Sequence, residues 1–283
     1  MTITIKSLCV ETLYPVTREV GSVPVAGKLL GDWVRSRLAG CDGEVKIRAD
    51  VWLSTAMGKF LVEAKQNILI RDPADGEILI SKTVGGGKHH EAPLDPDSFR
   101  IRFPWQLLTI NEELIGNLTE NLIEGTIRDG VTIDGFIHLG KGSVILPGVY
   151  IEGNAVFGEN CKIGPNCYIR GNTSTGAKCH IGQAVEIKNS LIFDQVSIGH
   201  LSYVGDSVIC DRVNFGAGTI VSNLRHDGKN HRWKLNGELV DTGRRKFGAI
   251  IGEGVHTGIH SAIYPGRMLP PGCSTIPGEV ISK

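Results

Sequence analysis

The sequence has no excess of charge of either sign: 30 lysines and arginines stand against 30 aspartates and glutamates over 283 residues. Without a global field there is no long-range pull on nucleic acid or membrane, so any anion binding must be local. No apolar run approaches the roughly 20 residues that cross a bilayer, and Met1 to Val10 lacks the layout of a secretory signal. These absences predict a cytoplasmic chain with neither membrane nor nucleic acid as a partner. The seven cysteines make no disulfide framework, because an odd number in a leaderless chain argues against one. Cys161, Cys167, Cys179 and Cys273 instead fall on a regular file of small residues, where a free thiol serves as a small apolar filler.

What is present in abundance is a repeat of six. From Ile127 to Phe193 an aliphatic or equivalent residue returns at nearly every sixth place: Ile145, Ile151, Phe157, Ile163, Ile169, Ile181 and Ile187 are its clearest members. Four places later runs the small file, and glycine often follows the large residue, as at Gly140, Gly158, Gly164, Gly176 and Gly182. Neither 3.6 nor 2.0 divides this pattern, and a fixed hexapeptide period is the mark of a parallel β-helix. Three flats of six make a coil of roughly 18 residues, with neighbouring coils about 4.8 Å apart. The large file fills the bore and the small one the corners, where glycine is expected to relax the backbone. The register slips by one residue twice, giving Ile198 and Val204, then Ile209, Phe215 and Val221. A loop from about Leu224 to Ala249 interrupts the winding, which resumes at Ile251.

The first part of the chain differs. Residues 1–104 predict a small α/β domain, with a helix over Val25 to Leu38, a strand over Val45 to Leu53 and a hairpin from Asn67 to Ile80. Thr83 to Pro96 reads as loop. Residues 105–122 predict a linker helix that caps the open end of the first coil, and residues 123–283 the β-helix. The expected fold class is therefore mainly β, a β-helix behind a small α/β domain.

Several stretches could carry chemistry. Arg170 and Lys188 stand one coil apart, each after a bore residue, so they should lie side by side on one outer face. Two cations about 5 Å apart repel unless an anion joins them, and a guanidinium with an ammonium suits a phosphate. Glu152, one coil earlier in the same column, could equally pair with Arg170. His200 lies between the two slips, off the regular bore, and an imidazole there could act as general base or be structural. The loop holds Arg225, Lys229, Arg232, Lys234, Arg244, Arg245 and Lys246. They could grip a second phosphorylated ligand or simply face solvent.

The segments GPNCYIR (164–170), HIGQAVEIKNS (180–190), GHLSYVGDS (199–207) and NFGAGTIVSN (214–223) resemble, in order and spacing, the acetyltransferase domain of the bifunctional N-acetylglucosamine-1-phosphate uridyltransferase/glucosamine-1-phosphate acetyltransferase family. The segments LRHDGK and DTGRRKFGAIIG resemble its archaeal-type members. The resemblance implies a left-handed β-helix, a homotrimer with sites between subunits, acetyl-CoA as co-substrate and no metal. It implies an N-acetyltransferase acting on an amino-sugar 1-phosphate, most naturally glucosamine 1-phosphate, with His200 as the base. Arg170 and Lys188 would bind the phosphate; Tyr203, Asn214, Asn223 and Lys229 would hold the sugar. A backbone amide near Ala217 would meet the thioester, and Arg244, Arg245 and Lys246 would supply the coenzyme's cation, which bacterial members carry in a tail beyond the position of Lys283. This chain departs from the bacterial pattern at Leu224 and Ile259.

The segments LYPVTREVGSVPVAGKLLGDWV (13–34) and FPWQLLTINEEL (103–114) resemble sugar-1-phosphate nucleotidyltransferases. The glycine-rich nucleotide loop of that family is missing from residues 6–11, where no glycine stands to let backbone amides close on a triphosphate. That implies a degenerate nucleotidyltransferase domain, now structural. Two other functions fit less well: nucleotidyl transfer itself, and a non-catalytic trimer that binds a sugar phosphate or nucleotide sugar. His226 and His231 have the spacing of two zinc ligands in trimeric β-helix carbonic anhydrases, but Ser190 stands where the third histidine would be, so no zinc site is expected.

Overall fold

The computed structural model describes residues 2–6, 13–235 and 237–282. The Lys6–Glu11 stretch, where the nucleotide loop was sought, lies outside the described residues except for Lys6. Two compact units are present. One comprises Met1–Glu11, Arg18–Val23 and Lys28–Arg102; the other comprises Thr12–Thr17, Pro24–Gly27 and Phe103–Lys283.

The first unit is a five-stranded mixed sheet flanked by two helices, Leu30–Arg37 and Thr55–Glu63. The hairpin falls where the sequence places it, Ile68–Arg71 against Ile78–Thr83. The Thr55–Glu63 helix has no counterpart in the sequence reading, although Ser54 caps it by accepting the Met57 amide at 2.9 Å. The expected loop of 83–96 contains a short edge strand, His90–Ala92, paired in parallel with Ile68–Ile70. Its backbone groups find partners at the sheet edge, which side-chain pattern alone does not reveal. Lys82 is buried, its ammonium donating to the Leu61 and Ala64 carbonyls at 2.6 Å each.

The second unit is a parallel β-helix. Its three faces carry parallel sheets of eight, six and eight strands. The first face runs from Leu122–Ile123 to Arg267–Leu269, the second from Thr126–Ile127 to Asn214–Phe215, and the third from Thr132–Asp134 to Val280–Ile281. Ile145, Ile151, Ile163, Ile181 and Ile187 are wholly buried in the bore, with Cys161, Cys167 and Cys179 at its corners. The pairing offset is 18 residues at Glu152↔Arg170↔Lys188, and drops to 17 at Ser174↔Leu191 and again at Leu191↔Val208. Both missing residues come out of the corner between the third and first faces. At that corner Asn189 and Asp206 adopt left-handed φ of 47° and 48°, a region where Asn and Asp are tolerated.

Two expectations are corrected. Helix Gln106–Gly116 does not cap the first coil. It packs on the flank, chiefly against Thr173–Thr175 and Leu191–Ile192, with Asn111 donating to the Asn172 carbonyl and accepting from Ser174. Polar groups along the coil's side bind it, whereas Leu122 and Ile123 of the first strand are 52% and 47% exposed. Second, not every glycine that follows the large file relaxes a corner. Gly158, Gly176 and Gly182 have no left-handed φ; a Cβ on Gly158 would lie 2.5 Å from the Gly176 carbonyl carbon. They permit close approach of successive coils, while Gly164, like Gly148, Gly153 and Gly171, does take a left-handed φ, as do Asn160, Lys178 and Gln195.

Gly182 and Gly199 share a column but differ in space: a Cβ on Gly182 would meet the Gly199 carbonyl at 1.9 Å, whereas one on Gly199 meets nothing within 4 Å. Gly182→Ala is expected to lower stability by about 1–3 kcal/mol, the usual range for overpacking, and Gly199→Ala to leave it nearly unchanged. Denaturant unfolding of the two variants checks this.

Candidate active site

The first five strands of the third face are three residues long, with the middle residue in the bore and the outer two facing out. Tyr168, Glu186 and Tyr203 form one outward column, and Glu152, Arg170, Lys188 and Gly205 the other. The structure therefore sets Arg170 beside Lys188, as their spacing requires. It also supplies each with its own carboxylate, and neither is Glu152. Arg170 donates through Nε and Nη2 to Glu186 at 2.8 and 2.7 Å. Glu152 accepts instead from the Tyr168 hydroxyl. Burial works against the charge on Arg170, and Glu186 outweighs it, so the guanidinium is held above its ordinary value.

Lys188 reaches Asp206 Oδ2 at 2.7 Å, with the two side chains 14% and 4% exposed. Asp206 is the hub of the corner. Its Oδ2 also accepts from Asn223 at 2.5 Å, and its Oδ1 from Asn189 at 3.0 Å. Asn189, Asp206 and Asn223 stand 17 residues apart, one above another at the shortened corner. Asn223 further donates to the Tyr203 hydroxyl at 3.0 Å. Burial, and then the charge of Asp206, push that hydroxyl above its usual value, so Tyr203 stays neutral. Gly205 makes the arrangement possible: a Cβ there would lie 2.5 Å from the Tyr203 hydroxyl and 2.6 Å from the Asn223 amide. Arg170, Lys188, Tyr203 and Asn223 thus form one cluster, joined by Glu186, Asp206 and Asn189.

His200 ends the second-face strand Ser197–His200, pairs with Gln183 and is exposed. It is not packed in the bore. It opens the rung whose next strand begins at Tyr203, a separation of at most about 11 Å along three residues. One coil earlier on the same face, below Ser197, His180 is half-buried, and burial, then Lys162 and His200, hold that imidazole below its ordinary value.

The other expected residues are not in this cluster. Asn214 is exposed on the second face, paired with Ser197 and His256, at the far end of its strand from the His200 column. Lys229 is exposed on the loop, its amide bound to Asp227 at 3.1 Å. Ala217 is half-buried, and its carbonyl accepts from the His260 amide at 2.8 Å. Arg244 is corrected as a coenzyme cation: its guanidinium is half-buried in an ion pair with Glu112 of the flank helix. Glu112 also accepts from Asn189 at 2.6 Å, so Arg244 ties the loop's return to the corner. Arg245 and Lys246 are exposed, with Lys246 bridged to Leu224. The loop is further anchored by Trp233 and Phe247, which pack on Trp105 at 5.6 and 6.2 Å.

Glu186, Asp206, Asn189 and Glu112 went unseen in the sequence. Three of them carried a signal. Tyr150–Asp134, Tyr168–Glu152 and Arg170–Glu186 are all pairs 16 residues apart, the diagonal between outward columns. Asn189, Asp206 and Asn223 follow once the coil is counted as 17. Among the described residues no group of three or more His, Cys, Asp or Glu could hold a metal ion.

The fold is a hexapeptide-repeat β-helix whose outer surface carries an exposed imidazole, His200, one coil beyond Lys188 and two beyond Arg170. Residues 151–271 match the family described as the GMPPB C-terminal domain. The chain is 41% identical over 180 residues to a bifunctional sugar-1-phosphate nucleotidylyltransferase/acetyltransferase of Sulfurisphaera tokodaii, covering 64% of this chain and 45% of that one. It is 49% identical over 187 residues to the bifunctional protein GlmU of Methanococcus maripaludis strain C7, covering 66% and 45%. A solved UDP-N-acetylglucosamine acyltransferase is 14% identical with a TM-score of 0.24, covering 58% and 66%, too distant to weigh. The chain spans about half the length of the curated relatives it matches. The expected resemblance to their kind is thereby shown.

Three donors converge on Asp206, which is almost fully buried. Asp206→Ala leaves Lys188 uncompensated and is expected to cost about 3–5 kcal/mol, the range for breaking a buried pair. Asn189→Ala removes one neutral donor and should cost about 1 kcal/mol. Chemical denaturation of both variants provides the comparison.

Proposed function

We propose that this chain is an N-acetyltransferase that moves acetyl from acetyl-CoA to the amine of an amino-sugar 1-phosphate, glucosamine 1-phosphate before others, with His200 as general base. The observation that carries the reading is a run of successive rungs at one corner. An exposed imidazole opens the rung that holds Tyr203, with Lys188 and Arg170 one and two coils before it and Asn223 one coil after. The relatives' printed names couple sugar-1-phosphate chemistry with acetyl transfer, which supports the same direction.

On this reading the sugar phosphate sits over Arg170 and Lys188, where a dianion competes with Glu186 for the more exposed cation. The sugar then extends along the third face towards His200. The imidazole takes a proton from the amine as its nitrogen attacks the thioester carbonyl. The C–S bond breaks as the tetrahedral intermediate collapses, and the coenzyme thiolate leaves and is protonated. A backbone amide stabilises the oxyanion, and no step uses a metal or a covalent enzyme intermediate. Asn214 and Lys229 would join the site from another subunit of a homotrimer. Residues 1–104 are a nucleotidyltransferase-like domain retained as structure.

Incubation with acetyl-CoA and glucosamine 1-phosphate should release free thiol, and His200→Ala should lower the rate by about 10²–10⁴, the range for losing a general base. Binding of glucosamine 1-phosphate should be little changed in that variant. UTP-dependent pyrophosphate release without thiol release would favour nucleotidyl transfer instead. Sugar-phosphate binding with neither product would leave a non-catalytic binder.

A further inference from the structure

A second concavity, lined by several arginines, lies at the same corner between the rung of Asn223 and the next, and none of the residues discussed for the sugar site lines it. Two cavities, of 640 and 470 Å³, meet between the inserted loop and the next rung, and both are lined by Arg225, Arg232 and Arg267. Lys234 lines the larger one. Among the described residues Asp227 is the only acidic one lining either, and it is occupied by Arg225 at 2.9 and 2.6 Å. The groove therefore keeps a net positive charge inside a chain whose total charge is balanced.

Its walls hold buried polar groups without a partner. His231 is 3% exposed, lines the smaller cavity and has no hydrogen bond at Nε2. Arg267 Nε is likewise buried and unsatisfied. Buried donors are normally paired, by protein or by ligand. Burial first, then the nearby Arg225 and Arg267 charges, holds the His231 imidazole below its ordinary value, against the Asn223 backbone. Such a site is complementary to an anion with several acceptor oxygens. Tyr264, half exposed at the rim, adds a ring on which a planar base can stack.

Resting on the acetyltransferase reading, we propose that this groove binds the phosphorylated nucleotide of coenzyme A, with Arg232 and Arg267 on its phosphates and Tyr264 against its base. Position favours this over a second sugar phosphate. Tyr264 stands two rungs above Gly205 in the same outward column, about 10 Å along the axis. His200 stands one strand across from that column. An extended pantetheine arm laid down the third face from the groove brings its thioester to the imidazole.

The test is calorimetric titration of the whole chain with coenzyme A, 3′-dephospho-coenzyme A and inorganic pyrophosphate, for wild type, Arg232→Glu and Arg267→Lys. Arg232 is exposed, so its variant tests the charge without endangering the fold. Coenzyme A is expected to bind at least tenfold more tightly than the dephospho form, and pyrophosphate to compete with it. Each variant should weaken coenzyme A binding tenfold or more and narrow the gap between the two forms. Equal affinity for both forms, or coenzyme A affinity unmoved in both variants, overturns the proposal. Thiol release with an unchanged KM for acetyl-CoA in both variants sinks the groove and leaves the acetyltransferase standing. Absence of thiol release in wild type, with the expected binding pattern intact, sinks the enzyme reading and leaves the groove.

Discussion

In-register parallel pairing is the constraint on which the second unit depends. Each residue of a rung must lie directly over the one a coil earlier, because the backbone hydrogen bonds between coils fix the register along all three faces. A side chain on an outer face therefore has few neighbours, and they are set by sequence arithmetic. Glu152, Arg170, Lys188 and Gly205 are such a column, and they stack whether or not their charges agree. Like charges in adjacent rungs must then be reconciled by diagonal or corner partners. Glu186 and Asp206 supply that here, one for each cation.

That arithmetic explains what could be read from the sequence. The bore file from Ile145 to Ile187, the adjacency of Arg170 and Lys188, and both phase slips follow from the period alone. The partners of the two cations do not follow from vertical counting. Glu186 lies on a diagonal, and Asp206 lies one residue past the ladder, at a corner. The flank helix was visible as a helix but not as to place: its buried Leu107, Leu108, Ile110, Leu114 and Ile115 do not say which surface they cover, and the bonds of Asn111 and Asn154 fix it on the flank. Arg244 looked like a free cation in a basic run, and only the fold brings Glu112, 132 residues away, to its side.

The corner between the third and first faces gathers these features for one reason. The left-handed position of that corner, held by Gly153 and Gly171 in earlier coils, passes to Asn189 and Asp206 where the coil shortens, and their side chains fall into line with Asn223. Amide, carboxylate and amide then satisfy one another up the column. At Asn223 the series ends because the chain leaves on the inserted loop and returns at Phe247, whose amide donates to the Asn223 carbonyl at 2.9 Å. The residue that terminates the ladder of amides is also the root of the loop. Movement of the loop and orientation of the Tyr203–Asn223 pair are mechanically one matter.

The internal carboxylates also bear on selectivity. Lys188 is nearly enclosed with Asp206, so its ammonium is fixed in place by a partner that no ligand can displace without leaving a buried carboxylate unpaired. Arg170 and Glu186 are each about a third exposed, where an ion pair is weak and exchangeable. The two cations are thus unequal: one is a fixed charge and the other a guanidinium that can turn to a new acceptor. On the proposed function, an incoming anion must outbid a single carboxylate for Arg170, which a dianionic phosphate with several oxygens does better than a monoanion. Carboxylates that quiet an unavoidable column of positive charge would then also set the threshold of charge that such a ligand must carry to displace them.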